Sequence, residues 1–144
     1  FMFGSSRAPL FAVAEVLDPL QDHRCFYCRG KLDGRGEVDH FVPWSRYPRD
    51  TAHNFVLAHR ACNNNKRDML AAKPHLEHWM ERMHSRGPEL GDSLAERGFV
   101  ADEYCSTQVA LWAYRQGVEA GGMGWFAKGK FDPLTTEYLS IIAC

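Results

Sequence analysis

Apolar residues recur at three- and four-residue steps through Leu10, Val13, Ala14, Leu17 and Leu20, leaving Glu15, Asp18 and Gln21 outside the stripe. That period predicts a helix from Arg7 to Gln21, with Pro9 near its first turn and Pro19 near its end. The pattern then shortens. Val38 to Phe41 and Asn54 to Ala58 read as two short strands, with Phe55 and Leu57 on one face of the second. Between them, Pro43, Pro48, Asp50 and their charged neighbours form an exposed loop. From Arg60 to Ala72 the spacing turns helical and offers Ala61, Met69 and Leu70 for packing. Lys73-Pro74 interrupts it, because the residue before a proline avoids helical angles.

A second helix from Pro74 places Leu76, Trp79, Met80 and Met83 at i, i+3, i+4 and i+7, and Ser85 to Gly91 reads as a connector. A third, Asp102 to Glu119, carries Tyr104, Leu111, Tyr114 and Val118 near one stripe. Gly117, Gly121, Gly122 and Gly124 loosen the chain after it. A last short helix can start at Asp132-Pro133, with Leu134, Tyr138 and Ile141 on one face. The expected class is α+β: a small hairpin-plus-helix core surrounded by additional α-helices.

At 144 residues, 45% hydrophobic and 12% aromatic, the chain has one domain's length and ample material for a core. No apolar run approaches the ~18 residues of a membrane span. The first residues lack the basic and apolar regions of a signal peptide, and a leading Phe in place of Met suggests either a fragment of a longer chain or an expression remnant. Five cysteines, three of them in one stretch, favour metal binding over a disulfide framework and imply a reducing, cytoplasmic setting. Cys105 reads as a small buried hydrophobe.

Charge changes the picture more than composition does. The net value of −1 divides into −2 over residues 1–22, +5 over 23–73 and −4 over 74–144. These spans also serve as expected units: an N-terminal helix, a core, and a helical C-terminal extension. The basic middle span would attract a polyanion although the whole chain is nearly neutral.

That span holds two sets of candidate ligands. Cys25-x2-Cys28 and His59-x2-Cys62 supply four soft donors from two chain segments, as a closed tetrahedral zinc site requires. A metal crosslink would hold a hairpin too small to be stable alone. Between or beside these ligands fall Asp39-His40, Asn54 and Asn63. On a helix, Asn63, Lys66 and Arg67 would share a face. A carboxylate and a carboxamide oxygen could hold a hard divalent cation. The imidazole could take a proton from water, and Lys66 or Arg67 could meet a phosphate.

The order CxxC, Asp-His, Asn, HxxC, Asn, Lys between Cys25 and Lys66 resembles the HNH endonucleases, whose fold is a ββα-metal hairpin and helix around one divalent ion, often stapled by structural zinc. The resemblance implies that His40 is the general base, Asp39 the first metal ligand and Asn54 a positioner of His40 or of the loop. Asn63 stands where the family's final histidine supplies the second ligand. Asn63, Asn64 and Asn65 are consecutive, and helical phase with Cys62 favours Asn63. Asparagine also occurs at this position in the HNH domains of CRISPR effectors, and an oxygen donor favours Mg2+ or Mn2+. His59 replaces a cysteine found in many relatives.

The implied function is metal-dependent hydrolysis of DNA, ahead of RNA, with little sequence specificity, in a bacterial restriction or phage-defence nuclease or effector domain. Phosphate contacts are expected from Arg29, Lys31, Arg35, Arg46, Arg49, Arg60, Lys66 and Arg67. Trp44 and Tyr47 could stack on bases or equally pack against the fold, and His53 reads as a surface histidine. The alternative is a non-catalytic zinc-stapled nucleic-acid-binding module. The acidic C-terminal half could also face a partner protein, another subunit or a missing upstream domain.

Overall fold

A computed structural model describes residues 7–143; Cys144 lies outside the described residues. Among these, the α+β fold runs α1 (Arg7–Leu20), β1 (Glu37–His40), β2 (Phe55–Ala58), α2 (Arg60–Lys66), α3 (Lys73–Ala95), α4 (Glu103–Glu119), β3 (Met123–Ala127), β4 (Lys130–Pro133) and α5 (Thr136–Ala143). The strands form two separate antiparallel pairs, β1 with β2 and β3 with β4.

The β1–β2 register pairs Glu37 with Ala58 and His40 with Phe55. A two-stranded ribbon is marginal in water, and this one is secured by burial of its second strand, while the first stays half-buried. All four β2 residues are buried. The apolar stripe of α1 packs Val13 and Leu17 into the core. The side chain of Gln21 donates to the Leu57 carbonyl at 2.9 Å and accepts from the Leu57 N–H at 3.0 Å. The free edge of β2 is therefore closed by a side chain that mimics a strand. Behind the hairpin, Phe41 stacks on Trp79 of α3 with centroids 4.9 Å apart.

Several boundaries differ from the sequence expectation. Helix α2 stops at Lys66 instead of reaching Ala72, because Arg67 adopts φ 56°, ψ −133°, where a helix cannot continue. The next residues pair with β3: Trp125 N–H donates to the Leu70 carbonyl at 2.9 Å, and Ala72 N–H to the Trp125 carbonyl at 2.7 Å.

The expected connector at Ser85–Gly91 does not exist, since α3 continues through Gly87-Pro88 for 23 residues. Proline removes one helical hydrogen bond, while Leu90 and Leu94 beyond it bury fully and hold the helix together. Helix α4 is capped by Asp102, which accepts from Cys105 N–H. Its buried face is Ser106, Ala110, Ala113, Tyr114 and Gly117, and Tyr104 points to solvent.

The C-terminal extension is not wholly helical. The glycines expected to loosen it instead lead into the β3–β4 hairpin, where Gly124 lies so close to Ala72 that a Cβ would fall 2.9 Å from its Cα. Helix α5 begins at Thr136 because the residues before it are taken up by β4. No helix among the described residues is long and apolar enough to cross a membrane.

Candidate functional site

The soft ligands converge. Donor atoms of Cys25, Cys28, His59 and Cys62 lie within 4.8 Å of one another, the one such cluster of His, Cys, Asp and Glu among the described residues. Tetrahedral zinc with its usual bond lengths separates donors by roughly 3.5–3.8 Å, so small adjustments close the site. His59 Nδ1 sits 3.2 Å from Cys28 Sγ and 4.0 Å from Cys62 Sγ. Its Nε2–H donates to the Lys31 carbonyl at 2.8 Å, which fixes the tautomer that presents a lone pair to the sulfurs.

Backbone N–H groups of Gly30 and His59 point at Cys28 and Cys25 Sγ. Burial and the neighbouring Cys25 and Cys28 sulfurs push the Cys62 thiol up to about 12. This is the crowding of like charges that a divalent cation relieves. The donors thus fit zinc.

The harder set is divided between several partners. Asp39 lies on β1 and turns inward, where its Oδ2 accepts from Tyr27 OH at 2.6 Å and faces Lys66 Nζ at 3.6 Å. Burial, then the Asp39 charge, raises the Tyr27 phenol well above its ordinary range, so Tyr27 remains a donor. Next along the strand, His40 Nε2 meets Asp50 Oδ1 at 2.8 Å. The exposed ring of Trp44 lies edge-on to His40, 5.3 Å between centroids. Asn54 is buried. Its Oδ1 accepts from Val42 N–H at 2.8 Å and its Nδ2 donates to the Val42 carbonyl at 3.0 Å, clamping the chain just beyond His40. Asn63 donates through Nδ2 to Glu37 Oε1 at 3.0 Å, leaving its oxygen as the end able to accept.

Two expectations about α2 need correction. Asn63, Lys66 and Arg67 do not share a face. Arg67 stands exposed past the helix end, and the Lys66 side chain is fully buried. Burial pulls the Lys66 amine down and the Asp39 charge opposes that shift. Its Nζ also approaches the Phe41 carbonyl at 3.4 Å. Lys66 is therefore placed to support Asp39 from inside and cannot reach a surface phosphate.

The other basic residues expected to contact phosphate are exposed, except Arg46, which is half-buried. Arg60 lies 3.6 Å from Glu37, and the Arg35 guanidinium covers the ring of Phe11 at 3.9 Å. His53 is buried rather than on the surface, and its Nε2–H donates to the Gly87 carbonyl at 2.8 Å. Cys105 is exposed rather than buried.

Sequence reasoning missed Tyr27, Glu37 and Asp50. Tyr27 lies inside the Cys25–Cys28 knuckle, which is the one signal that placed it near the site. Asp50 reaches His40 across an irregular loop, and no residue spacing encodes that path.

This arrangement puts an acid-backed imidazole, an inward carboxylate and a zinc-ligand cluster on one hairpin-and-helix unit. Residues 25–69, about a third of the chain, match the family model described as HNH endonuclease. That family comprises nucleases, and the CxxC…HxxC cluster agrees with its zinc-stapled members. No curated protein and no solved structure matches the chain.

Proposed function

We propose that this chain is a metal-dependent endonuclease that hydrolyses DNA phosphodiester bonds, with residues 23–73 as the nuclease core. The observation that carries the proposal is the His40–Asp50 pair at 2.8 Å beside the inward carboxylate of Asp39. Asp39 and the free carboxamide oxygen of Asn63 would hold Mg2+ or Mn2+, donors whose hardness suits those ions. When bound, such an ion supplies positive charge against the charge that grows on the phosphate oxygens and the leaving oxygen.

The protein's own groups do the rest. With Nε2–H donated to Asp50, neutral His40 has its Nδ1 lone pair free to take a proton from water. The water oxygen bonds to phosphorus, the P–O3′ bond breaks, and the 3′ oxygen leaves with the electron pair and is protonated by solvent. Asn54 keeps the backbone after His40 in place, while Tyr27 and Lys66 hold the Asp39 carboxylate.

Arg29, Lys31, Arg46, Arg49, Arg60 and Arg67 supply phosphate contacts that are indifferent to sequence. Trp44, 48% exposed beside His40, offers a face for a base near the reacting phosphate. The restriction or phage-defence setting is what the family resemblance implies. The test is incubation of supercoiled plasmid with the zinc-loaded protein in Mg2+, Mn2+ or EDTA. Relaxed or linear product with added metal, and none in EDTA, is expected. Intact plasmid in every condition would instead favour a zinc-stapled binding module.

A further inference from the structure

A groove of about 740 Å³ opens on the other side of the Cys25–Cys28 knuckle, between α2 and the β3–β4 hairpin. It shares Tyr27, Arg29 and Arg67 with the nuclease core and holds neither Asp39, His40, Asp50 nor Asn63. Its base is an aromatic ladder: the His75 ring stacks on Trp125 at 5.4 Å and on Phe126 at 5.2 Å, with interplanar angles of 23° and 17°. His75 Nε2 meets the Phe126 carbonyl at 2.8 Å and Trp125 Nε1 donates to Asn65 at 2.7 Å, so the ladder is locked. Phe126 ends it with a ring 40% exposed.

Around this apolar base stand Arg29, Arg67 and Lys128, and no acidic residue lines the groove. In a chain of net charge −1 that is a local surplus of positive charge. None of the three cations makes an ion pair among the described residues. Two of them also sit at positive φ, Arg29 at 66° and Arg67 at 56°. Glycine would adopt those angles at less cost, so both positions trade backbone comfort for a cationic side chain at the groove.

We propose that this groove binds a single-stranded stretch of the nucleic-acid substrate, its phosphates on Arg29, Arg67 and Lys128 and an unstacked base on Phe126. An aromatic platform inside a cationic rim is the chemistry that single strands use, because every base has a π-face and every linkage a charge. Tyr27 joins this groove to the site of hydrolysis. Its ring meets Trp125 edge-on at 5.2 Å while its hydroxyl bonds Asp39. The inference rests on the nuclease reading and adds to it a strand-separating mode of substrate binding.

The test uses zinc-loaded His40→Ala protein, so that nothing is cut, and a labelled oligothymidylate titrated at several salt concentrations. Phe126→Ala should weaken binding about tenfold and leave the salt dependence unchanged. Arg67→Gly should also weaken it, with the slope of log K against log salt shallower by about 0.7, while its Tm stays at or above the parent's. An abasic strand of equal length should bind the parent as weakly as thymidylate binds Phe126→Ala.

Unchanged affinity in either variant, or an abasic strand bound as tightly as thymidylate, would overturn the proposal. If plasmid cleavage still depends on His40 in that case, the nuclease reading stands without it. If wild type leaves plasmid intact while the variants lose strand binding as described, the groove stands and the nuclease reading fails.

Discussion

His40 owes its orientation to Asp50, whose carboxylate receives Nε2–H and would stabilise the imidazolium formed when water gives up its proton. Asp50→Asn keeps the shape and removes the charge. A fall in kcat of between about 10- and 10³-fold with KM unchanged is expected, measured by single-turnover and steady-state cleavage. A second residue reports on the core. His78 packs on Phe26 at 4.5 Å. Burial, then Arg29, Arg82 and His75, depresses its imidazole to about 4 from the ordinary 6.5. The unfolded chain thus binds that proton first. His78's contribution is complete above pH 6.5 and is lost as pH falls toward 4. It is on the order of 1 kcal/mol once solvent screening of a half-buried ring is allowed for. Denaturant titrations from pH 7 to pH 4 should show a flatter acid limb in His78→Phe than in wild type.

Between elements, the contact that matters most is the approach of β3 to the segment after α2. Gly124 permits it, and a Cβ there would meet Ala72 backbone at 2.9 Å and Leu134 at 3.2 Å. Gly124→Ala should cost about 1–3 kcal/mol in urea unfolding. Removing a zinc held by Cys25, Cys28, His59 and Cys62 should cost more, because the hairpin, the knuckle and α2 would share it. Chelation, or Cys25→Ser, is expected to abolish cooperative thermal unfolding of the zinc-loaded form, followed by circular dichroism with the zinc content measured alongside.

Much of this was legible from local pattern. The amphipathic α1, the two short strands, the CxxC and HxxC knuckles and the start of α3 follow from periodicity and spacing. What escaped depends on distant partners. The end of α2 is set by one left-handed arginine, the run through Gly87-Pro88 by burial of Leu90 and Leu94, and the β3–β4 hairpin by residues 70–72. At the site, convergence of the four soft ligands followed from their spacing. The inward turn of Lys66 and the reach of Asp50 did not, because both depend on tertiary placement.

Over the whole molecule, charge and architecture divide the work. The acidic C-terminal segment, −4 over residues 74–144, nonetheless supplies Lys128 and the aromatic ladder to the groove beside the basic core. A substrate drawn to that core would meet the hairpin with its zinc-ligand cluster on one side of Tyr27 and the groove on the other. In the proposed reaction His40 takes the proton from water. The most direct measurement compares plasmid cleavage by wild type and His40→Ala in Mg2+ or Mn2+, with zinc content and Tm matched. Loss of cleavage in a folded, zinc-loaded His40→Ala protein is the predicted result. Cleavage at the wild-type rate by that variant would rule out His40 as the base.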